Sequence, residues 1–359
     1  MLLRILMLVV LLGWSVLATT GHAATLAAVQ VAEGQLPNKP EQPQLAVDDG
    51  GGIHLVYGVG QTICYRRSVD GGRQFDKPVT LPGSGVISLG MRRGPRIAIA
   101  GDAIVVSVIG GKTGKGRDGD VLVLRSDDQG KTWSSPSKVN DVADAAREGL
   151  HAMAAGPDGR VCCVWLDLRE RGTTIMASES QDRGKTWGKN VLVYRSPSGT
   201  VCQCCHPSVV YDNTGKLSVL WRNALDGHRD MYLCSSTDGL TFTKAAKLGQ
   251  GSWMLNACPM DGGNVAVTAR GERFTTWRRD KQVLLTRDDS PQEQLLGNGV
   301  QPWLAALPAG PYVVWLDKRG GDLLLQAPGS TTAKKLASNA NDPVIVANGK
   351  SGVVVAAWE

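Results

Sequence analysis

The sequence lacks long apolar runs and segments of helical periodicity. Its longest apolar stretch, from Ile5 to Leu17, is shorter than the roughly 18 uninterrupted apolar residues typical of a membrane-spanning helix. No later segment comes nearer to that length. These absences predict no integral membrane segment. The many short apolar segments that remain, separated by 44 glycines, indicate an all-β chain.

Basic clusters are also absent. The chain has 39 Lys and Arg against 33 Asp and Glu, and the two signs are interspersed. A nucleic-acid partner would need basic residues gathered on one face or in one run. The composition therefore favours a small anionic or glycan ligand, or a periplasmic protein partner, over nucleic acid.

The N-terminus has the order of a secretory signal peptide. Arg4 precedes the apolar stretch, which ends in the small residues Gly21-His22-Ala23. We expect residues 1–23 to be removed by cleavage near Ala23 and residues 24–359 to form a single domain. This interpretation predicts a periplasmic or secreted protein.

One pattern recurs seven times along the chain at the spacing of propeller blades. Each copy is a turn, an apolar strand, a Gly or Asp turn and a β-branched strand, closed in six copies by an aromatic residue. The copies end at Tyr57, Val108, Trp165, Trp221, Trp277, Trp315 and Trp358. A repeat of this length predicts one supersecondary unit per copy, packed against its neighbours.

A second motif lies between these copies. It has the form Ser-x-Asp-x-Gly-x-Thr-Trp or a close variant, and its copies are 68–75, 126–133, 180–187 and 236–242, the last one residue short. The Asp and Ser side chains are expected to accept hydrogen bonds from turn amides, while Gly takes a positive φ. The motif therefore predicts a corner that maintains the fold.

These Asp boxes resemble the repeats of sialidases (neuraminidases) and of the wider Asp-box propeller family, over nearly all of residues 24–359. The resemblance implies an all-β propeller of four-stranded antiparallel blades. Sialidases have six blades, whereas the seven repeats favour seven. The last repeat stops after two strands, so we expect residues 25–34 to complete its sheet.

The resemblance also implies that function lies on the face opposite the Asp boxes. Ligands of propellers enter the mouth of the central channel, where each closing aromatic is followed by a loop. The candidate ligand-binding residues on this face are Arg93, Arg169, Arg222 and Arg319. An alternative is that Asp-x-Arg after a strand makes only a local ion pair.

A sialidase mechanism would need an arginine clamp, a tyrosine paired with Glu, and an acidic proton donor. Only 6 Tyr are present, and Tyr57 is the one placed near a strand end on this face. The remaining candidates for catalysis are Arg93, Asp167, Arg222, Asp317 and Arg319. The leading hypothesis is a binding or accessory propeller, and the alternative is an exo-sialidase.

Cysteine is concentrated in one segment. Cys202, Cys204, Cys205 and His206 stand before the fourth repeat, and Cys258 holds the equivalent place before the next one. Two disulfides are one interpretation of this set in an exported protein. The other is a copper or zinc site, although no cofactor is required for the fold. In an extended chain the side chains of Cys202 and Cys204 would point one way and that of Cys205 the other.

Overall fold

The computed structural model describes residues 2–9, 28–35, 37–288 and 290–359. Over these ranges the chain forms β-strands and no helix, as the sequence predicts. The predicted cleavage site near Ala23 lies outside the described residues. None of the described segments is a helix long and apolar enough to cross a membrane.

The strands follow one another in short antiparallel hairpins. Strands β1 to β7 are Leu2–Val9, Ala28–Glu33, Pro40–Val47, Ile53–Val59, Thr62–Ser68, Val79–Thr80 and Val86–Ile87. Strands β8 to β15 are Arg96–Ala100, Ala103–Gly111, Asp120–Ser126, Ser137–Lys138, His151–Ala155, Val161–Asp167, Thr174–Ser180 and Val191–Tyr194. Strands β16 to β22 are Ser208–Tyr211, Leu217–Arg222, Met231–Ser236, Ala246–Lys247, Asn264–Val267, Arg273–Arg279 and Gln282–Arg287. Strands β23 to β29 are Gln294–Asn298, Val300–Leu307, Gly310–Leu316, Gly321–Gln326, Lys334–Ala340, Val344–Ala347 and Val353–Trp358.

Six sheets are built from strands that are consecutive in sequence. Five of them have four strands, in the orders β3 to β6, β12 to β15, β16 to β19, β20 to β23 and β24 to β27. The sixth contains β8 to β11, with β7 added beside β9. Each is an antiparallel meander, the blade that the repeats predict.

The remaining sheet, called here the closing sheet, joins the two ends of the chain. Its order is β2, β1, β29, β28, and the Cα of Arg4 in β1 lies opposite that of Trp358 in β29. The outermost strand, β2, falls within the residues 25–34 expected to complete the last repeat. Strand β1 was not foreseen, because the sequence analysis assigned it to the removed signal peptide.

The first strands of the repeats form a ring around the channel. Contacts run from β3 to β8, β12, β16, β20, β24 and β28 in turn, and β28 contacts β3 again. The six sheets of consecutive strands and the closing sheet therefore enclose one axis. The apolar cores lie between neighbouring sheets, where Trp165, Trp221 and Trp315 are buried.

The Asp boxes form the corners predicted for them. In the box that starts at Ser180, the serine Oγ accepts a hydrogen bond from the backbone amide of Gly184 at 2.8 Å. The carboxylate of Asp182 accepts one from the backbone amide of Thr186, also at 2.8 Å. The boxes also contact the preceding sheet. A Cβ placed on Gly130, at φ 85°, would lie 2.1 Å from the ring of Tyr65. The glycine is thus required by both the turn and the close approach.

Candidate functional site

A buried polar network lies at the channel mouth opposite the Asp boxes. Gln42 and Gln301 stand at the start of two inner strands, and Asp342 precedes a third. Their side-chain amides donate to the two carboxylate oxygens of Asp342, at 2.8 Å from Gln42 and 2.6 Å from Gln301. The backbone amide of Gln42 also donates to the carboxylate of Glu359 at 2.7 Å. The network links the start of the chain's first blade to its last residue.

This network was not predicted, although the sequence contains a signal for it. Gln42, Gln301 and Asp342 each precede a proline, and each has a positive φ, between 45° and 56°. The repeated residue-proline step marks the same position in three repeats. Left-handed backbone is costly for residues other than glycine, so the surrounding contacts must hold it in place.

Three arginines at the mouth are buried and bonded to the backbone. Arg92 donates to the carbonyls of Pro343 and Gln301, and Arg96 to those of Arg92 and His151. Arg222 is 1 % exposed, and its guanidinium donates to three carbonyl groups, those of Asp261, Arg229 and Arg278. Such guanidinium groups stabilise the loops at the mouth.

The other predicted arginines are also bonded to protein groups. Arg93 donates to the carbonyl of Glu148 at 2.8 Å, and Arg319 to that of Met260 at 3.0 Å. Arg169 pairs with buried Asp167 at 2.9 Å and with Asp141 at 2.8 Å. The pair of Arg169 with Asp167 is the local ion pair that was considered for Asp-x-Arg from the sequence.

The acidic and tyrosine candidates are not gathered in one pocket. The carboxylate of Asp317 accepts the amides of Lys318 and Asp322 in its own turn. Tyr57 is 3 % exposed in the core between the closing sheet and the first blade, where burial raises its pKa to about 12. A tyrosine nucleophile needs access and a lowered pKa. Tyr57 has neither.

A hydrogen-bonded tyrosine and glutamate do occur, but on the Asp-box face. The hydroxyl of Tyr211, at the end of β16, donates to Glu179 at 2.5 Å. Burial raises the pKa of Tyr211, and the tyrosine is 7 % exposed. Arg160 lies over its ring. This pair ties neighbouring sheets together at the end opposite the channel mouth.

A cavity of about 720 Å³ opens on the same Asp-box face, between the sheets of β20 to β23 and β24 to β27. Its rim includes Arg270 and Arg287, and its floor Phe274. Arg287 is paired with Glu272. Because the cavity lies on the Asp-box face, it is not the arginine clamp expected at the channel mouth.

The cysteine segment at the mouth forms a compact group of three thiols. The Sγ atom of Cys202 lies 3.6 Å from that of Cys204 and 3.5 Å from that of Cys205, and the last two are 4.0 Å apart. All three side chains are buried, with exposures of 2, 9 and 2 %. Burial and the neighbouring Cys202 thiol raise the pKa of Cys205 to about 12.

The backbone conformation explains why the three thiols meet. Residues 203–204 form a turn, not the extended segment assumed from sequence. The turn is fixed by the amide of Cys202, which donates to the carbonyl of Arg222 at 3.1 Å, and by Gln203, whose side chain donates to Thr173 at 3.1 Å. The expectation that Cys205 points away from Cys202 was therefore wrong.

The other predicted metal ligands lie outside this group. The ring of His206 stacks on Trp303 with centroids 5.4 Å apart, and neither of its nitrogens has a hydrogen-bond partner among the described residues. Cys258 is exposed. The structure gathers Cys202, Cys204 and Cys205 as a group able to hold a metal ion, without His206 or Cys258.

All eight cysteines of the structure are free thiols. Cys162 and Cys163, in β13, are buried in the cores on the two sides of their sheet, with exposures of 1 and 0 %. A disulfide within the Cys202 to Cys205 segment would need two sulfurs to approach to about 2.05 Å. Disulfide formation in this segment stays a prediction.

The fold and the repeats define an Asp-box β-propeller. The family model described as a BNR repeat-like domain matches residues 21–198 and 124–268. The chain belongs to this family. A comparison with curated proteins finds no match.

Solved structures with the same fold include several carbohydrate-active enzymes. An α-L-arabinanase from Penicillium chrysogenum has 15 % identity and a TM-score of 0.52, covering 90 % of this chain and 94 % of its own. The Trypanosoma rangeli sialidase has 14 % identity and a TM-score of 0.52, covering 93 % of this chain and 56 % of its own. An ulvan lyase has 13 % identity and a TM-score of 0.55, covering 89 and 93 %. At these identities the similarity concerns the fold.

Proposed function

We propose that this protein is a binding propeller whose channel mouth holds a thiophilic metal ion through Cys202, Cys204 and Cys205. The observation that carries the proposal is the mutual distance of the three sulfurs, 3.5 to 4.0 Å. Thiolates that share one ion at a bond length of about 2.3 Å are separated by close to this distance. Thiolate is the ligand type that copper(I) and zinc prefer.

The position of the thiols supports a built site. They lie on a turn anchored to two neighbouring hairpins, next to the buried Arg222. The charge of Arg222 opposes the rise in the pKa of Cys202 and Cys205 that burial and the neighbouring thiols cause. A positive charge fixed in this way offsets the negative charge of thiolate ligands. The fold therefore provides both the donors and part of the charge balance.

A sialidase reaction has less support. The predicted clamp residues Arg93, Arg222 and Arg319 donate to backbone carbonyls, and Tyr57 is buried away from the channel. Among the described residues, the mouth offers no tyrosine and glutamate pair that faces a pocket. The same bonds leave the arginines poorly suited to an anionic or glycan ligand.

Metal analysis of the reduced protein tests the proposal. Protein prepared without oxygen, incubated with copper(I) or zinc(II) and desalted should retain one ion per chain. Cys204→Ser should lose most of the retained metal, because it removes one of the three sulfur donors. Cys204 is chosen because it is the least buried of the three. Cys64→Ser is the matched control, since Cys64 lies in a third strand outside the group. Equal metal retention by Cys204→Ser and wild type, or none by wild type, would overturn the proposal.

We also propose that the protein is exported and that the closing sheet acts as a seventh blade. The signal-like order of residues 1–23 supports export. The position of β28, in contact with both β24 and β3, supports a seventh blade. Removal of β1 with the signal peptide would leave β2 as the nearest described strand able to cover the edge of β29.

A further inference from the structure

The number of donor side chains in the three-thiol group distinguishes between copper(I) and zinc as the ion that it binds. Among the described residues, no fourth His, Cys, Asp or Glu donor joins Cys202, Cys204 and Cys205. Zinc in proteins is almost always four-coordinate, with a fourth protein ligand or an open position for water. Copper(I) accepts sulfur-rich sites of thiolates and thioethers. The donor set therefore favours copper(I).

A methionine packs against the group of three thiols. Met260 is partly exposed and packs against Cys202, Cys204 and Cys205. It lies on the loop that leads into the next blade, at the position equivalent to the cysteine segment. Its thioether is the one further soft donor in this cluster of contacting side chains.

The backbone of Met260 is held firmly in place. Its φ of 54° is left-handed, and its carbonyl accepts a hydrogen bond from Arg319 at 3.0 Å. The next residue, Asp261, is 0 % exposed and accepts the amide of Gln301 at 2.8 Å. A left-handed residue whose own carbonyl and following residue are both hydrogen-bonded is typical of a position constrained by its function.

We propose that the site is selective for copper(I) over zinc(II), with the thioether of Met260 as the ligand that completes and covers the three thiolates. This inference rests on the proposed function of the same three cysteines. Binding is a ligand exchange: the bonds of copper(I) to its previous ligands break, the three thiol protons pass to solvent, three thiolate bonds and one thioether bond form, and the copper remains monovalent. Arg222 offsets part of the negative charge of the thiolate cluster.

Competition with chromogenic chelators tests selectivity. Reduced, oxygen-free protein is titrated against bicinchoninate loaded with copper(I), and separately against a zinc indicator loaded with zinc(II). We expect wild type to withdraw one copper(I) per chain and to leave zinc(II) with the indicator. Met260→Leu keeps the side-chain volume and removes the sulfur, and it should weaken copper(I) binding by roughly tenfold or more.

The matched control is Met254→Leu, since Met254 is an exposed methionine of the preceding segment. X-ray absorption at the copper edge should show a longer fourth sulfur contact in wild type and its loss in Met260→Leu. If zinc(II) is withdrawn as well as copper(I), or if Met260→Leu binds as wild type does, this inference is wrong while the proposed function stands. If neither ion is withdrawn, both are wrong.

Discussion

At the scale of single residues, the arginines show that residue type alone does not predict whether a side chain binds a ligand or stabilises the fold. Sequence analysis grouped Arg93, Arg169, Arg222 and Arg319 as ligand-binding residues because each lies near the mouth. In the structure each donates to carbonyls or carboxylates of the protein itself. The direction of Arg93, Arg222 and Arg319 depends on contacts with residues of other loops, for which the sequence contains no local signal. Only the pair of Arg169 with Asp167 follows from the local Asp-x-Arg spacing.

The buried guanidinium of Arg222 should matter more for stability than that of Arg93. Arg222→Met leaves three carbonyl groups without a donor, and we expect it to lower the free energy of unfolding by roughly 3 kcal/mol. Arg93→Met removes one bond at a half-buried position and should cost roughly 1 kcal/mol. Urea unfolding of both variants measures the difference. Equal effects would show that Arg222 is not the anchor of the mouth loops.

Glu359 should make the stability pH-dependent. Burial, followed by the negative charge of Asp342, raises the pKa of its side chain from 4.5 to about 7, against the opposing effects of the backbone amide of Gln42 and of Lys39. The folded state holds the proton more tightly than the unfolded state, so rising pH favours unfolding between about 4.5 and about 7.

The size of this effect is roughly 3 kcal/mol at full ionisation. Glu359→Gln should abolish the decline, and the variant should gain stability relative to wild type as pH rises from 5 to 7.5. Thermal unfolding across that range measures it, with Glu33→Gln in exposed β2 as the control. A wild type whose stability does not fall across this window contradicts the assignment.

At the scale of elements, the Asp boxes and the cysteine turn differ in how much the sequence predicts. The Asp-box bonds run between residues at most four apart, so the motif alone predicts the corner correctly. The cysteine turn is held by Thr173 and Arg222, which lie on neighbouring hairpins. Sequence spacing identified the cluster but gave the wrong direction for Cys205, because the turn depends on these non-local bonds.

Replacing the serine of an Asp box should destabilise its corner. Ser180 is 0 % exposed, and its Oγ accepts the amide of Gly184 and donates to Asp182. Ser180→Ala leaves that buried amide unpaired and should cost roughly 1 to 2 kcal/mol. Ser338→Ala, on the exposed outer strand β27, should be nearly neutral. Chemical denaturation compares the two, and an equally small loss for Ser180→Ala would be evidence against a structural role of the box.

At the scale of the whole molecule, the repeats predicted the propeller and its closure by the chain ends. Each repeat buries its apolar face only against a neighbour, so the period and the closing aromatics together determine the ring. The sequence did not predict β1, since the same apolar residues satisfy both a signal peptide and a strand. Local pattern cannot separate these two roles.

If the protein is exported as proposed, the first residue of the mature chain and the neighbour of β29 in the closing sheet both change. Protein isolated from the periplasm or medium should begin near Ala24, as measured by intact mass, and β2 should then pair directly with β29. Hydrogen exchange should show protected amides in residues 28–33 of that form. A full-length chain beginning at Met1 in the exported fraction would refute the signal peptide and favour β1 as the permanent neighbour of β29.

The central claim is that one thiophilic metal ion is held by the three thiols at the channel mouth. Crystals of the reduced, copper(I)-loaded protein, measured on both sides of the copper absorption edge, locate the ion directly. We predict one anomalous peak about 2.3 Å from the Sγ atoms of Cys202, Cys204 and Cys205, beneath Met260. A disulfide between any two of these cysteines, or a peak elsewhere with none at the three sulfurs, would contradict the account.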